Sequence, residues 1–172
     1  MGNIIHASAI IYDGVVLGDN IYIGPGCIIG APPEHPDIDP RNYQSNGMVV
    51  IKDGSILHGN NTVDCGMNEP TIIGENCILM KGAHVGHDVQ LGQKVVLACG
   101  SLVGGHSKLS DYSYIGLNAV LHQFSVVGKG AMLGASGFSK GELEEFGMYV
   151  GVPAKKIGLN VRLMSKMGIN HE

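Results

Sequence analysis

Tryptophan is absent from the 172 residues, and Phe and Tyr bring the aromatic content to only 5%. A core built around large rings is therefore excluded, and aliphatic side chains must supply the buried surface. Charge is also sparse, at 15% of residues with a net of −4, and Lys and Arg form no run beyond the pair Lys155-Lys156. Binding to a phosphate backbone needs a basic face, so nucleic acid is not an expected partner. No apolar stretch approaches the ~20 residues of a membrane span. The opening Met1-Gly2-Asn3-Ile4-Ile5-His6 lacks the basic start and long apolar run of a signal peptide. The expectation is a soluble, cytoplasmic protein. Cys27, Cys65, Cys77 and Cys99 form no C-x-x-C pair, which removes the common zinc and redox signatures. Cys27 and Cys77 stand where equivalent positions carry Ala or Ser, as small buried thiols do.

What the chain has in excess is glycine, 27 residues of it, in a strict period. From Ile73 an aliphatic residue returns every sixth position through Leu79, Val85, Leu91, Leu97, Val103, Leu109, Ile115, Leu121 and Val127 to Leu133. The following position is often glycine, and the fourth after each aliphatic is small or β-branched. The same pattern runs through Ile5, Ile11, Leu17, Ile23 and Ile29, and again through Ile51, Leu57 and Val63. Six is not a helical period. It fits a short strand followed by a corner, three of which close a triangular coil of eighteen residues. Stacked coils bury one continuous aliphatic column, each ~4.8 Å above the last. The sequence thus predicts an all-β parallel β-helix over 1–138.

Two segments interrupt the period. Residues 31–47 carry prolines and polar groups and are expected as a loop extruded from the helix, a type that is functional or disordered in compact domains. A smaller break lies near Asp64 to Pro70. The repeat ends after Gly137. Residues 139–172 are expected to hold an irregular closing coil over 139–158 and a short C-terminal helix over 159–168, stopped by Gly168 and capping the column.

With eighteen residues to a coil, position 87 stacks on 105 and 105 on 123. His87, the pair Gly105-His106 and the pair His122-Gln123 then share one edge on three successive coils, with His84 in the same block. Asp88 follows His87, and a carboxylate beside an imidazole fixes its tautomer and stabilises the imidazolium. A histidine so held suits a general base at neutral pH. Gly105 offers a backbone N–H that no side chain obstructs, as an oxyanion site requires. Other readings stay open: a solvated corner with stacking histidines, or a metal site completed by a neighbouring subunit. His6, His35, His58 and His171 lie off the row and are assigned no role.

Gly82-Ala83-His84-Val85-Gly86-His87-Asp88, Val103-Gly104-Gly105-His106 and Ala119-Val120-Leu121-His122-Gln123-Phe124 together resemble the UDP-N-acetylglucosamine acyltransferases of lipid A biosynthesis. The likeness covers nearly all of residues 5–168. It implies a left-handed parallel β-helix, a homotrimer with sites between subunits, and no bound cofactor or metal. It also implies His87 as general base, Asp88 as its orienter and Gly105 as oxyanion donor. His84, His106, His122 and Gln123 would contact the acceptor or the thioester arm, and Asn160, in Gly158-Leu159-Asn160, the donor or nucleotide groove. The chain departs from the family at three places. Glu34-His35-Pro36-Asp37 replaces a Gln-Asp-Leu-Lys stretch that contacts the sugar nucleotide, Arg162 replaces a glutamate, and little of the family's helical C-terminal domain is expected before Glu172. Glu34 and Arg162 are accordingly candidate substrate contacts. Gly151-Val152-Pro153-Ala154-Lys155 resembles the closing coil of coenzyme A-dependent hexapeptide acetyltransferases, so the donor is an acyl thioester of either acyl carrier protein or coenzyme A.

Two further readings share the fold. A zinc hydratase of the γ-carbonic-anhydrase kind pairs histidines five residues apart, and the partner position of His122 is Leu117. A non-catalytic scaffold gives no reason for His87-Asp88 and His122-Gln123 to share an edge.

Overall fold

The computed structural model describes residues 2–43 and 48–170. The last four residues of the expected 31–47 loop, Met1, and the final two residues, His171 among them, lie outside the described residues. The chain is a left-handed parallel β-helix. Its three faces are sheets of nine, seven and seven strands among the described residues. The first face begins with Ile4–Ile5, the second with Ile10–Ile11 and the third with Val15–Leu17.

Register follows the expected eighteen-residue step. Val85 pairs with Val103 and Val103 with Leu121 on the second face. The main-chain ladder closes each step, with the Gly86 N–H donating to Val103 O at 2.9 Å and the Gly104 N–H to Leu121 O at 2.9 Å. One step is longer. Val63 pairs with Val85, a separation of twenty-two residues, because the chain makes a detour between Thr62–Asp64 and Thr71–Ile73. A larger detour leaves after Ile28–Ala31 and returns at Val49–Ile51.

The periodic aliphatics form the core. All eleven from Ile73 to Leu133 are 3% exposed or less. Burying each contributes about 1.5–3 kcal/mol. Ile5 keeps the register but is 44% exposed, since its coil has a neighbour on one side only. Corners are turned by left-handed residues. At most of them Gly or Asn fills the slot, but the edge between second and third faces stacks Asp88, His106 and Phe124 there, with φ of 59°, 59° and 62°. Left-handed backbone costs a side-chain-bearing residue ~1–2 kcal/mol, and the stack of coils meets that cost.

The C-terminal part differs from expectation. The segment read as irregular contains the strands Glu142–Leu143, Gly147–Val150 and Lys155–Leu159, and the last folds back antiparallel on Gly147–Val150. The period of six breaks there because the step shortens to sixteen residues, Val127 pairing with Leu143 and Leu133 with Tyr149, and because Lys155–Leu159 leaves the coil for a hairpin. The α-helix is shorter than expected, Val161–Lys166, and buries Met164. No helix of the described residues is long and apolar enough to cross a membrane.

Replacing Leu97 by Ala, at the centre of the stack, should cost about 2–5 kcal/mol of unfolding free energy. Ile5→Ala should cost well under half as much. Urea denaturation of both variants checks the difference.

Candidate active site

The edge between the second and third faces brings His87, Gly105 and Gln123 into one column. The His106 N–H donates to His87 O and the Phe124 N–H to Gly105 O, both at 2.9 Å. His87 Nδ1 lies 2.7 Å from Asp88 Oδ2. Asp88 is itself held by a cage that the shorter detour supplies. The N–H groups of Asn68 and Glu69 donate to its Oδ1 at 2.7 and 2.6 Å, and that of Met67 to its Oδ2 at 3.0 Å. The Asp88 N–H donates to Thr71 Oγ1 at 2.9 Å. Burial pushes this carboxyl up, but the Glu69 N–H, the His87 bond and the N–H groups of Met67 and Asn68 outweigh it and hold it at about 2. Asp88 is thus anionic at neutral pH, so the proton of the neutral imidazole sits on Nδ1 and the lone pair on Nε2.

That lone pair faces Gly105. A Cβ placed on Gly105 would stand 2.7 Å from His87 Nε2 and 2.8 Å from its Cε1, so only glycine fits there without displacing the ring. The Gly105 N–H has no acceptor among the described residues. A base and an uncommitted main-chain donor therefore stand one coil apart. His106 meets His87 edge-on, with centroids 4.8 Å apart, and stacks flat on Phe124 at 4.6 Å. A groove on the third face runs beside them, lined by Pro70, Ile72, Gln90, His106, Lys108 and Phe124.

The predicted row divides between two flanks. His122 turns to the second face, where its ring meets Phe138 edge-on at 6.4 Å and lines a groove with Lys140, Pro153 and Ala154. Gln123 is exposed beside it. His84 also lies on the second face, with Nδ1 2.8 Å from Thr62 Oγ1 and Nε2 3.9 Å from Asp64. Glu34 is exposed on the larger detour, and its charge acts on both Asp64 and His84. Asn160 and Arg162 stand elsewhere. Asn160 caps the C-terminal helix, accepting from the Leu163 N–H, and its side-chain amide donates to Gly130 O at 3.0 Å. Arg162 is exposed on that helix. The structure does not bring either to His87.

Several residues at the site were not anticipated. His35, from the larger detour, approaches the His87 ring edge-on at 6.3 Å. Thr62 and Asp64 sit below His84 and Gly86, a placement that an eighteen-residue step misses by four residues. The signal for them was the break near 64–70, which displaces the register by its own length. His87, Asp88 and His106 offer ligand atoms within 4.8 Å of one another. That spread exceeds the roughly 3.3 Å between tetrahedral zinc ligands at their usual bond lengths, and both Asp88 oxygens already accept hydrogen bonds. Leu117 offers no ligand where the zinc-hydratase pattern needs one.

Residues 70–105 match the family model of the bacterial transferase hexapeptide, six repeats. The chain is 29% identical over 160 residues to the acyl-[acyl-carrier-protein]–UDP-N-acetylglucosamine O-acyltransferase of Sinorhizobium fredii, covering 88% of this chain and 56% of that protein. Over most of its length the chain resembles the hexapeptide-repeat transferases. A second relative of that transferase name, from Bartonella henselae, is 28% identical and matches over 99% of this chain and 75% of its own length. The solved LpxA, a UDP-N-acetylglucosamine acyltransferase from Bacteroides fragilis, superposes with a TM-score of 0.92 at 26% identity, over 99% of this chain and 66% of that one. This hexapeptide-repeat chain thus spans just over half the length of the Sinorhizobium relative.

Burial, with Glu34 adding, pushes the Asp64 carboxyl up to about 7. An acid whose folded value lies above its unfolded ~3.9 favours the fold while protonated. That stability is present below about pH 4 and is lost as pH rises towards 7. Asp64→Asn should therefore gain thermal stability over the parent at pH 8, and the gain should shrink towards pH 4.5. Paired melting curves across that range check it.

Proposed function

We propose that the protein transfers an acyl group from a thioester of acyl carrier protein or coenzyme A to a hydroxyl or amine of a nucleotide sugar such as UDP-N-acetylglucosamine. The observation that carries this reading is the His87 Nε2 lone pair, aimed by Asp88 across the uncommitted N–H of Gly105. His87 takes the proton of the acceptor as its oxygen or nitrogen attacks the thioester carbonyl. The tetrahedral oxyanion is held by the Gly105 N–H, and His87 returns the proton to the departing thiolate. The transfer is direct and needs no covalent enzyme intermediate, bound cofactor or metal. The second-face groove of His122, Phe138, Pro153 and Ala154 suits the extended thioester arm, and Gln123 borders it. His84 and Glu34 face the acceptor, and His106 backs the His87 ring. Relatives that carry the UDP-N-acetylglucosamine O-acyltransferase name over most of this chain support the acceptor class.

We place the enzyme in the cytoplasm as a homotrimer with its sites between subunits. The first face supports self-association. Its outward ladder, including Ile56, Ile78, Val96, Tyr114, Met132 and Met148, holds no charged residue over these coils. An uncharged apolar strip this long is unusual on a monomer.

His87→Ala should lower kcat by about 10²–10⁴-fold with little change in melting temperature. Gly105→Ala, which displaces the ring, should cost about 10²–10³-fold. A thioester-release assay with acyl-carrier and acyl-CoA donors reads both, and near-parental rates would remove these residues from the mechanism. Val96→Asp with Tyr114→Asp should reduce the trimer mass found by light scattering to that of smaller species.

A further inference from the structure

Lys140 ends the column that flanks the candidate base. Val85, Val103, Leu121 and Ser139 pair in sequence, so the residues after them, Gly86, Gly104, His122 and Lys140, stack at the second-face flank of the His87 edge. The first three give their main-chain N–H to the coil above, at Val103 O, Leu121 O and Ser139 O. Lys140 does not. Above it the chain turns through residues 151–154, whose bonds go to Phe138: the Phe138 N–H donates to Gly151 O at 3.0 Å and the Ala154 N–H to Phe138 O at 2.7 Å. The Lys140 N–H has no acceptor among the described residues, and its ammonium has no ion pair there. The acids nearest to it in the chain are engaged elsewhere, Glu142 on the third face beside Val126 and Glu144 with Lys156.

Lys140 lines a cavity of about 420 Å³ with His122, Phe138, Ser139, Pro153 and Ala154. Phe138, Pro153 and Ala154 give it apolar walls. Lys140 stands at its upper part, one rung above His122. An unpaired ammonium with an uncommitted main-chain donor is the chemistry that receives a phosphate. The reach from the base agrees. Lys140 is two rungs of ~4.8 Å above Gly104, and its side chain extends further. In a pantetheine thioester about thirteen bonds separate the sulfur from the first phosphorus, ~15 Å at the ~3.6 Å per three bonds of an extended chain. An arm whose carbonyl lies at Gly105 and which follows the apolar walls upward brings its phosphate to Lys140.

We propose that Lys140 anchors the phosphate of the donor's pantetheine arm and so makes a phosphorylated arm the substrate class of the second-face groove. The inference rests on the acyl-transfer reading and adds a specificity residue to it. The phosphate is common to coenzyme A and to the prosthetic arm of a carrier protein, and Lys140 reads that shared group. Its contact lies far from the reacting carbonyl and is made equally before and during transfer. It therefore lowers KM and leaves kcat little changed.

The test measures thioester release from acyl-pantetheine, acyl-phosphopantetheine, acyl-CoA and acyl carrier protein with UDP-N-acetylglucosamine present, using the full chain. The parent should use acyl-phosphopantetheine at least tenfold better than acyl-pantetheine in kcat/KM. Lys140→Ala should cut that preference at least fivefold, through KM, and Lys140→Arg should keep it. Lys140 is exposed, so neither change disturbs the core. A KM raised for acyl-CoA and acyl carrier protein alike supports the shared phosphate, and a KM raised for one of them alone supports the anchor and names its source. A preference absent from the parent, or unmoved by Lys140→Ala, overturns the anchor while leaving acyl transfer intact. A loss that follows acyl length instead of the phosphate gives the groove to the acyl chain and likewise overturns it. No release from any donor of the set overturns the acyl-transfer reading itself, and the anchor with it.

Discussion

The parallel main-chain ladder that joins each coil to the next is the constraint from which the rest of this molecule follows. Each hydrogen bond fixes the height of one coil above another, and the three corners fix its rotation. Residues eighteen apart are then held in a vertical line whatever their chemistry. The aliphatic column inside and the polar column at the edge are two products of the same register. The core supplies the stability, and because it is supplied by a repeated contact, no individual corner needs to be favourable. Asp88, His106 and Phe124, like Lys94 and Tyr112 at another corner, can therefore stand in left-handed backbone where many corners place Gly or Asn.

The candidate site uses regular and irregular chain for different tasks. Regular coils place His87 and Gly105 at a fixed separation, which a loop would not maintain. The detour after Asp64 supplies what the coils cannot. Many of their N–H groups are committed to the ladder, whereas Met67, Asn68 and Glu69 have donors to give to Asp88. This cage keeps the carboxylate ionised, the carboxylate sets the tautomer of His87, and the tautomer leaves Nε2 as the basic atom. The larger detour adds His35 and Glu34 to the same edge. Pairing a rigid scaffold with inserted segments agrees with the general division between precise framework and variable recognition elements.

The fold was legible because its signal is periodic and long. Eleven aliphatics at one spacing have no comparable explanation in a helix or a sandwich, and all eleven are buried. The column of His87, Gly105 and Gln123 followed from the same arithmetic. The contacts made by Thr62, Asp64 and His35 did not, since each depends on an insertion whose path carries no period. The division of the histidines between two flanks was likewise hidden. Register places a residue on an edge, but the adjoining strand decides the face to which its ring turns, and His122 turns to Phe138. The hairpin of Gly147–Val150 and Lys155–Leu159 escaped notice because the period that made everything else readable stops before it.

The eighteen-residue step also makes the scaffold a graduated measure. His84, beside His87, and Phe138 of the second-face groove are separated by three rungs, each ~4.8 Å high. On the proposed acyl-transfer reading, a thioester donor laid along that face would span this interval to bring its carbonyl to Gly105. Lengths of arm are therefore compared with a count of coils, and inserting or removing one complete coil would reset the comparison by a single rung without disturbing the chemistry at either end.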